Sequence, residues 1–207
     1  MLGLGHLDAA DCLVALETVG CAHFGPGGEG VVRLQAGRDS DGQLHLLASA
    51  RPLGAEPECW RALHSQVPHP GAGRWAGAKL AGLPAFARAR QEARQAGCEE
   101  ALLYSSAGAL VEGARSNLFL VDAGGHLRTP PVSAGAVAGV ARALLLDRIP
   151  EIRQEPIQQR ELSTAQELIA VNAVRGVRPV VGLDGRALGG GRAGPVAARL
   201  AAALAEG

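Results

Sequence analysis

The sequence predicts an α+β fold, a larger C-terminal domain of mixed short strands and helices preceded by a smaller α/β lobe. Three observations predict it. Between residues 100 and 128, four short β-type segments follow one another across turns that contain Gly. Helical stretches bounded by Pro and Gly flank them. At 207 residues, 47% hydrophobic and 19% charged, the chain is long and apolar enough to bury a sizeable core.

Taken in order, residues 1–20 place Leu4, Leu7, Ala10, Leu13, Val14 and Leu16 or Val19 on one helical face, with Gly20 as the expected stop. After the glycine-rich stretch 25–30, strands at Val31–Ala36 and Leu44–Ser49 form a hairpin with a long loop. Residues 1–51 are thus a small unit, and the Pro- and Gly-rich stretch 52–78 reads as a linker to a domain spanning 79–207. Pro84 opens a helix over Ala85–Ala96 that Gly97 stops; Arg88, Arg90 and Arg94 form a solvated face on it. Strands follow at Glu100–Tyr104, Ala109–Glu112, Asn117–Val121 and His126–Arg128. Beyond the Pro130-Pro131 turn come a helix at about Val137–Ile149 and a short one at 161–167. Strands at Leu168–Asn172 and Pro179–Leu183 precede a closing helix, Pro195–Leu204.

Twenty basic and twenty acidic residues leave no net charge, so nothing draws the chain to nucleic acid or an anionic membrane. No apolar run is long enough to span a bilayer, and the opening residues carry acid where a signal peptide carries base; the expected location is cytoplasmic. Cys12, Cys21, Cys59 and Cys98 are widely spaced and read as reduced thiols, and the six histidines form no metal-ligand pattern, so no metal site is expected.

Lys79 is the only lysine among the twenty basic residues. Arginine can replace lysine in surface pairs and anion contacts, but not as a primary amine that forms a Schiff base or exchanges a proton near neutrality. Glu112 stands at a strand-to-turn junction, where a carboxylate could pair with a protonated ring nitrogen. Ala138-Gly139-Val140-Ala141-Arg142 is a Gly entry into a helix, whose first amides can bind a phosphate. Gly189, Gly191 and Gly194 satisfy G-x-G-x-x-G, but no second strand and acidic residue follow, so the run reads as a turn before the last helix.

With these residues in view, the stretch from Lys79 to about Leu183 resembles the class IV, or fold type IV, pyridoxal-phosphate enzymes. Five blocks carry the likeness in order: Lys79; Val111-Glu112-Gly113 through Ser116-Asn117-Leu118-Phe119; Thr129-Pro130-Pro131-Val132-Ser133; Val137 to Arg142; and Val171 to Val180. The resemblance implies Lys79 as the Schiff-base lysine, Glu112 as the partner of the cofactor's pyridine nitrogen, and Val140, Ala141, Asn172 and Ala173 as phosphate-binding positions. At Ala141 and Ala173, where relatives often carry hydroxyls, only backbone amides could serve. It also implies a small-molecule substrate and a homodimer. Asn172-Ala173-Val174-Arg175-Gly176-Val177 looks most like 4-amino-4-deoxychorismate lyase, whose reaction yields 4-aminobenzoate and pyruvate for folate synthesis. Arg115, Arg175 or Arg178 could then clamp a substrate carboxylate. A class IV aminotransferase of branched-chain or D-amino acids is the alternative, and a non-catalytic relative the third reading. Two family features have no counterpart: the short run after the lysine that usually ends in Asn and an aromatic or long residue, and the small domain's first strands and helix with the His-x-x-Arg segment whose arginine grips the phosphate.

Overall fold

A computed structural model describes residues 7–73 and 76–206, so Leu4 of the expected first helix lies outside the described residues. The chain divides into two compact units, Met1–Glu56 and Pro57–Gly207. In the first, Asp8 caps helix α1, Ala9–Phe24, its carboxylate accepting from the Ala10 amide at 2.7 Å. The helix runs through the expected stop at Gly20. It ends at Gly25, whose φ of 75° turns the chain away while its amide donates to Cys21 O. Strands β1, Val31–Arg38, and β2, Leu44–Arg51, pair antiparallel from Val31↔Arg51 to Arg38↔Leu44, each two residues longer than expected. Helix α1 packs on this hairpin without burying any residue fully, and Leu13 and Val14 stay exposed.

The second unit is built on one sheet. Its strands are β3 (Trp60–His64), β4 (Glu100–Tyr104), β5 (Ala109–Gly113), β6 (Asn117–Val121), β7 (Leu127–Thr129), β8 (Arg153–Gln154), β9 (Ile157–Gln158), β10 (Glu167–Asn172), β11 (Gly176–Leu183) and β12 (Arg186–Ala187). They hydrogen-bond in the order β8-β7-β6-β10-β11-β3-β4-β5-β9, with β12 beside β11. Leu110 of β5 and Leu118 and Leu120 of β6 sit far apart along that path yet share one core cluster with Trp60, Ala62, Leu168 and Val180. The sheet therefore curls around this cluster. Its other face is covered in two places. Helices α3, Val140–Arg148, and α4, Pro195–Ala205, bury Leu145 and Leu200 against Phe119 and Ile169. Helix α2, Pro84–Gln95, lays Ala89 and Ala93 on Ala101 and Leu103. Strands β4 and β6 are buried along their whole length because both faces are covered.

The stretch expected as a linker, 52–78, instead contributes β3, which pairs parallel with both β11 and β4 near the middle of the sheet. Its five residues owe their conformation to partners about 40 and 120 positions away, which no local pattern announces. The helix expected at 161–167 is a 3-10 turn over Gln159–Thr164, and Glu167 already belongs to β10. Helix α3 starts at Val140 rather than Val137, because the backbone of Val137 is taken up in pairing with Gly77 and Gly139 is extended.

The glycine run before α4 is a packing device. A Cβ at Gly189 would lie 2.2 Å from Gln166 O, and one at Gly194 2.2 Å from the Glu167 carboxyl carbon. That carboxylate accepts from the Val196 and Ala197 amides at 2.9 Å each. A buried protein carboxylate thus caps the helix start where a dinucleotide phosphate would have to sit.

Candidate active site

The site is assembled on a short segment of extended backbone. Gly77 bridges Val137 in parallel, and its carbonyl accepts from the Ala138 amide at 2.9 Å. Gly77 adopts φ 83° and a Cβ there would press on Val132 at 3.1 Å, so the position favours glycine twice over. Lys79 follows two residues later. It is exposed, and its amine has no hydrogen-bond or ion-pair partner among the described residues.

Glu112 approaches the same segment from β5. Its Oε2 accepts from the Val137 amide at 2.9 Å and its Oε1 from His69 Nε2 at 3.1 Å, while the residue is only 3% exposed. Both oxygens accept, and each keeps one lone-pair direction unused. Lys79 and Glu112 are therefore tied through one stretch of hydrogen-bonded chain, with Val137 at its centre.

Asn117, the first residue of β6, completes the arrangement. Its Nδ2 donates to Val137 O at 2.8 Å, and a Cβ on Gly139 would meet its Oδ1 at 2.2 Å. Gly139 is the N-cap of α3 and offers no side-chain cap, so the first amides of that helix, at Val140 and Ala141, are left open. The backbone of Asn117 pairs with Val171. The turn after β10 thereby attaches to the same residue as the start of α3. In that turn Asn172 Oδ1 accepts from the Val174 and Arg175 amides at 3.0 and 2.7 Å, so its side chain shapes the turn and leaves Ala173 to offer backbone.

The three arginines expected at the substrate divide. Arg115 donates to Glu99 O at 2.8 Å and lies 4.3 Å over the Trp60 ring. Arg178 donates to Val177 O, and its Nε is buried without a partner among the described residues. Arg175 sits half-buried at the head of β11. Arg142, in the first turn of α3, turns inward to Pro130 O and Gln154 Oε1 at 3.0 Å each, and burial lowers its pKa. Behind the site, Glu100 of β4 is fully buried. Burial raises its pKa, against the opposing hydrogen bonds from Ser116 Oγ at 2.5 Å and the Ala101 amide at 2.9 Å.

A cleft of about 430 Å³ lined by His64, Ser65, Val67, Tyr104, Ser106 and Gln159 includes none of Lys79, Glu112 and Val140. Burial lowers the His64 pKa against the attraction of Asp184 and raises that of Tyr104, and the phenol oxygen stands 2.5 Å from His64 Nδ1 in a hydrogen bond. Among the described residues no group of three or more His, Cys, Asp or Glu could hold a metal ion, and no helix is long and apolar enough to cross a membrane.

Sequence reasoning misses His69 as a site residue and uses Asn117 only as part of a motif. For His69 the local signal is Pro68-His69-Pro70, two prolines that restrain the backbone on either side of the ring. Its contact with Glu112 spans 43 positions.

Chemically, the set offers a primary amine unpaired among the described residues, a buried carboxylate with acceptor capacity to spare, and open amides at a helix start. The fold is that of the fold type IV class. A branched-chain aminotransferase from Thermoproteus uzoniensis superposes with a TM-score of 0.84 at 24% identity, covering 97% of this chain and 71% of that one. An aminotransferase from Brucella abortus, solved bound to pyridoxal phosphate, gives a TM-score of 0.80 at 24% identity, covering 97% and 76%. The chain belongs to the Amino-transferase class IV family, whose profile matches residues 14–183. In sequence it is 32% identical over 119 residues to the probable branched-chain-amino-acid aminotransferase of Aquifex aeolicus, covering 55% of this chain and 38% of that protein. It is 33% identical over 113 residues to the Escherichia coli branched-chain-amino-acid aminotransferase, covering 53% and 36%. The chain thus matches little more than a third of the length of these curated relatives.

Proposed function

We propose that this chain is a pyridoxal-phosphate-dependent aminotransferase of small amino acids, with branched-chain side chains as the first substrate class to test. The observation that carries the reading is the double tie of Val137, to Gly77 on one side and to Glu112 on the other, which brings the backbone two residues before Lys79 together with Glu112 and the approach to α3. The donor set fits the cofactor at three points: an amine for its aldehyde, a carboxylate for its ring nitrogen, and open amides for its phosphate. Lys79 would hold it through the amine, Glu112 would accept from the ring N–H, and the amides of Val140, Ala141 and Ala173 would donate to the phosphate. When bound, pyridoxal phosphate supplies an electron sink that stabilises negative charge on the carbon next to the substrate's amino nitrogen. Lys79 would be the base placed to move the proton of that carbon, a task that needs an amine able to lose its proton. Glu112 would stand as the acceptor that favours a protonated ring nitrogen.

The relatives' aminotransferase names support this reading over the lyase expected from the block Asn172 to Val177. A homodimer is proposed on family grounds. The test is to incubate the purified chain with pyridoxal phosphate, leucine and 2-oxoglutarate and to follow glutamate formation. Keto-acid-dependent turnover that Lys79→Ala abolishes supports the proposal. Pyruvate release from 4-amino-4-deoxychorismate without an acceptor would replace it with the lyase, and no turnover by either route would leave a non-catalytic relative.

A further inference from the structure

We infer that His69 is a positioning residue for Glu112: as the Nε2–H tautomer it holds the carboxylate oriented for the cofactor's ring nitrogen. The inference rests on the proposed cofactor role of Glu112. Its own basis is the hydrogen-bond pattern. The Gly71 amide donates to His69 Nδ1 at 3.0 Å, and Nε2 stands 3.1 Å from Glu112 Oε1. A nitrogen that accepts from an amide cannot carry a proton, so the ring is neutral and its single N–H is on Nε2, aimed at Glu112. The contact is a hydrogen bond from a neutral donor to a charged acceptor, strengthened because the two side chains are only 1% and 4% exposed.

Three features fix the ring where it stands. Pro68 and Pro70 restrain the backbone on either side. The ring packs edge-on against Phe86 of α2, centroids 5.6 Å apart at 89°. Gly135 has no Cβ, which would otherwise approach the imidazole to 2.9 Å. The Val137 amide completes the hold on Glu112 from the other oxygen. Glu112 thus has two protein donors, one per oxygen, and neither can be turned away without leaving a buried N–H unpaired. With both in place, the carboxylate keeps unused lone pairs but no freedom to rotate. A partner fixed in this way costs less ordering when a ligand N–H arrives. The arrangement resembles the way a second group orients a catalytic imidazole, with the roles of acid and ring exchanged.

The test has two arms. In the first, nitrogen-15 NMR of the cofactor-free wild-type chain reads the His69 ring directly. The expected result is a protonated Nε2 and an unprotonated Nδ1; a protonated Nδ1 or a doubly protonated ring overturns the inference without any variant. In the second, pyridoxal phosphate affinity is measured by titration for wild type, His69→Phe and His69→Gln. Phe keeps the ring contact with Phe86 but donates nothing, whereas Gln keeps an N–H donor. The expected result is about tenfold weaker binding for Phe, with Gln within about threefold of wild type. Equal affinity for all three, or equal loss in Phe and Gln, overturns the positioning role. Wild type that binds no cofactor overturns the proposed function and the cofactor role of His69 together. Wild type that binds, with an unaffected Phe variant, overturns only this inference.

Discussion

Glu112→Gln tests the hydrogen-bond arrangement in the absence of any cofactor. Two donors converge on the wild-type side chain, the Val137 amide at 2.9 Å and His69 Nε2–H at 3.1 Å. Glutamine has one acceptor oxygen and one NH2, so one of the two donors must face another donor. His69 cannot resolve the conflict by moving its proton to Nδ1, because Nδ1 already receives the Gly71 amide. The site is nearly sealed from water, so the stranded donor is left unpaired at a cost of about 2 kcal/mol. For a domain of this size that lowers Tm by roughly 4–8 °C. The assay is thermal unfolding of the cofactor-free chain at neutral pH, followed by near-ultraviolet circular dichroism. A Glu112→Gln variant that melts with or above wild type would refute the double acceptance by Glu112, and with it the tautomer assigned to His69.

Other outcomes follow from the same structure. Burial raises the Glu100 pKa above its ordinary 4.5, so the folded state holds the proton more tightly than the unfolded chain. Stability is then lost as pH rises from about the unfolded value through the folded one. Glu100→Gln removes that slope, and its Tm relative to wild type is expected to improve between pH 4.5 and neutrality; a relative decline over that range contradicts the assignment. Glu167→Ala removes both acceptors from the start of α4 and is expected to cost about 3 kcal/mol in urea unfolding. Gly194→Ala, whose Cβ would meet the same carboxylate at 2.2 Å, is expected to destabilise as well, and a change within about 0.5 kcal/mol would show that the approach is not tight.

How much of this is legible in the sequence depends on where each residue's partners lie. Strands β4, β6 and β10 can be read off because runs such as Asn117-Leu118-Phe119-Leu120-Val121 are apolar and bounded by turns. Lys79 stands out because one amine among guanidiniums implies a task that only the amine performs. Glu112 stands out only beside the blocks around it. Strand β3 is illegible because Trp60-Arg61-Ala62-Leu63-His64 lies between proline-rich stretches and is ordered by β11 and β4. His69 and Asn117 reach Glu112 and Val137 through side-chain contacts across 43 and 20 positions, which spacing rules do not reach. Arg115 shows the converse: it lies in a family-like block, yet its guanidinium is spent on Glu99 O and the Trp60 ring. The early helix ending expected at Gly20 fails for a simpler reason. One glycine costs a helix about 1 kcal/mol and does not stop it, whereas Gly25 adopts a positive φ that does.

The proposed function gives Lys79 the amine that would hold pyridoxal phosphate. Borohydride reduction of the chain incubated with the cofactor, followed by peptide mapping, addresses it directly. The account predicts a stable phosphopyridoxyl label on the peptide containing Lys79, absent from Lys79→Ala. No label on the wild-type chain, or an equal label on the variant, would contradict it.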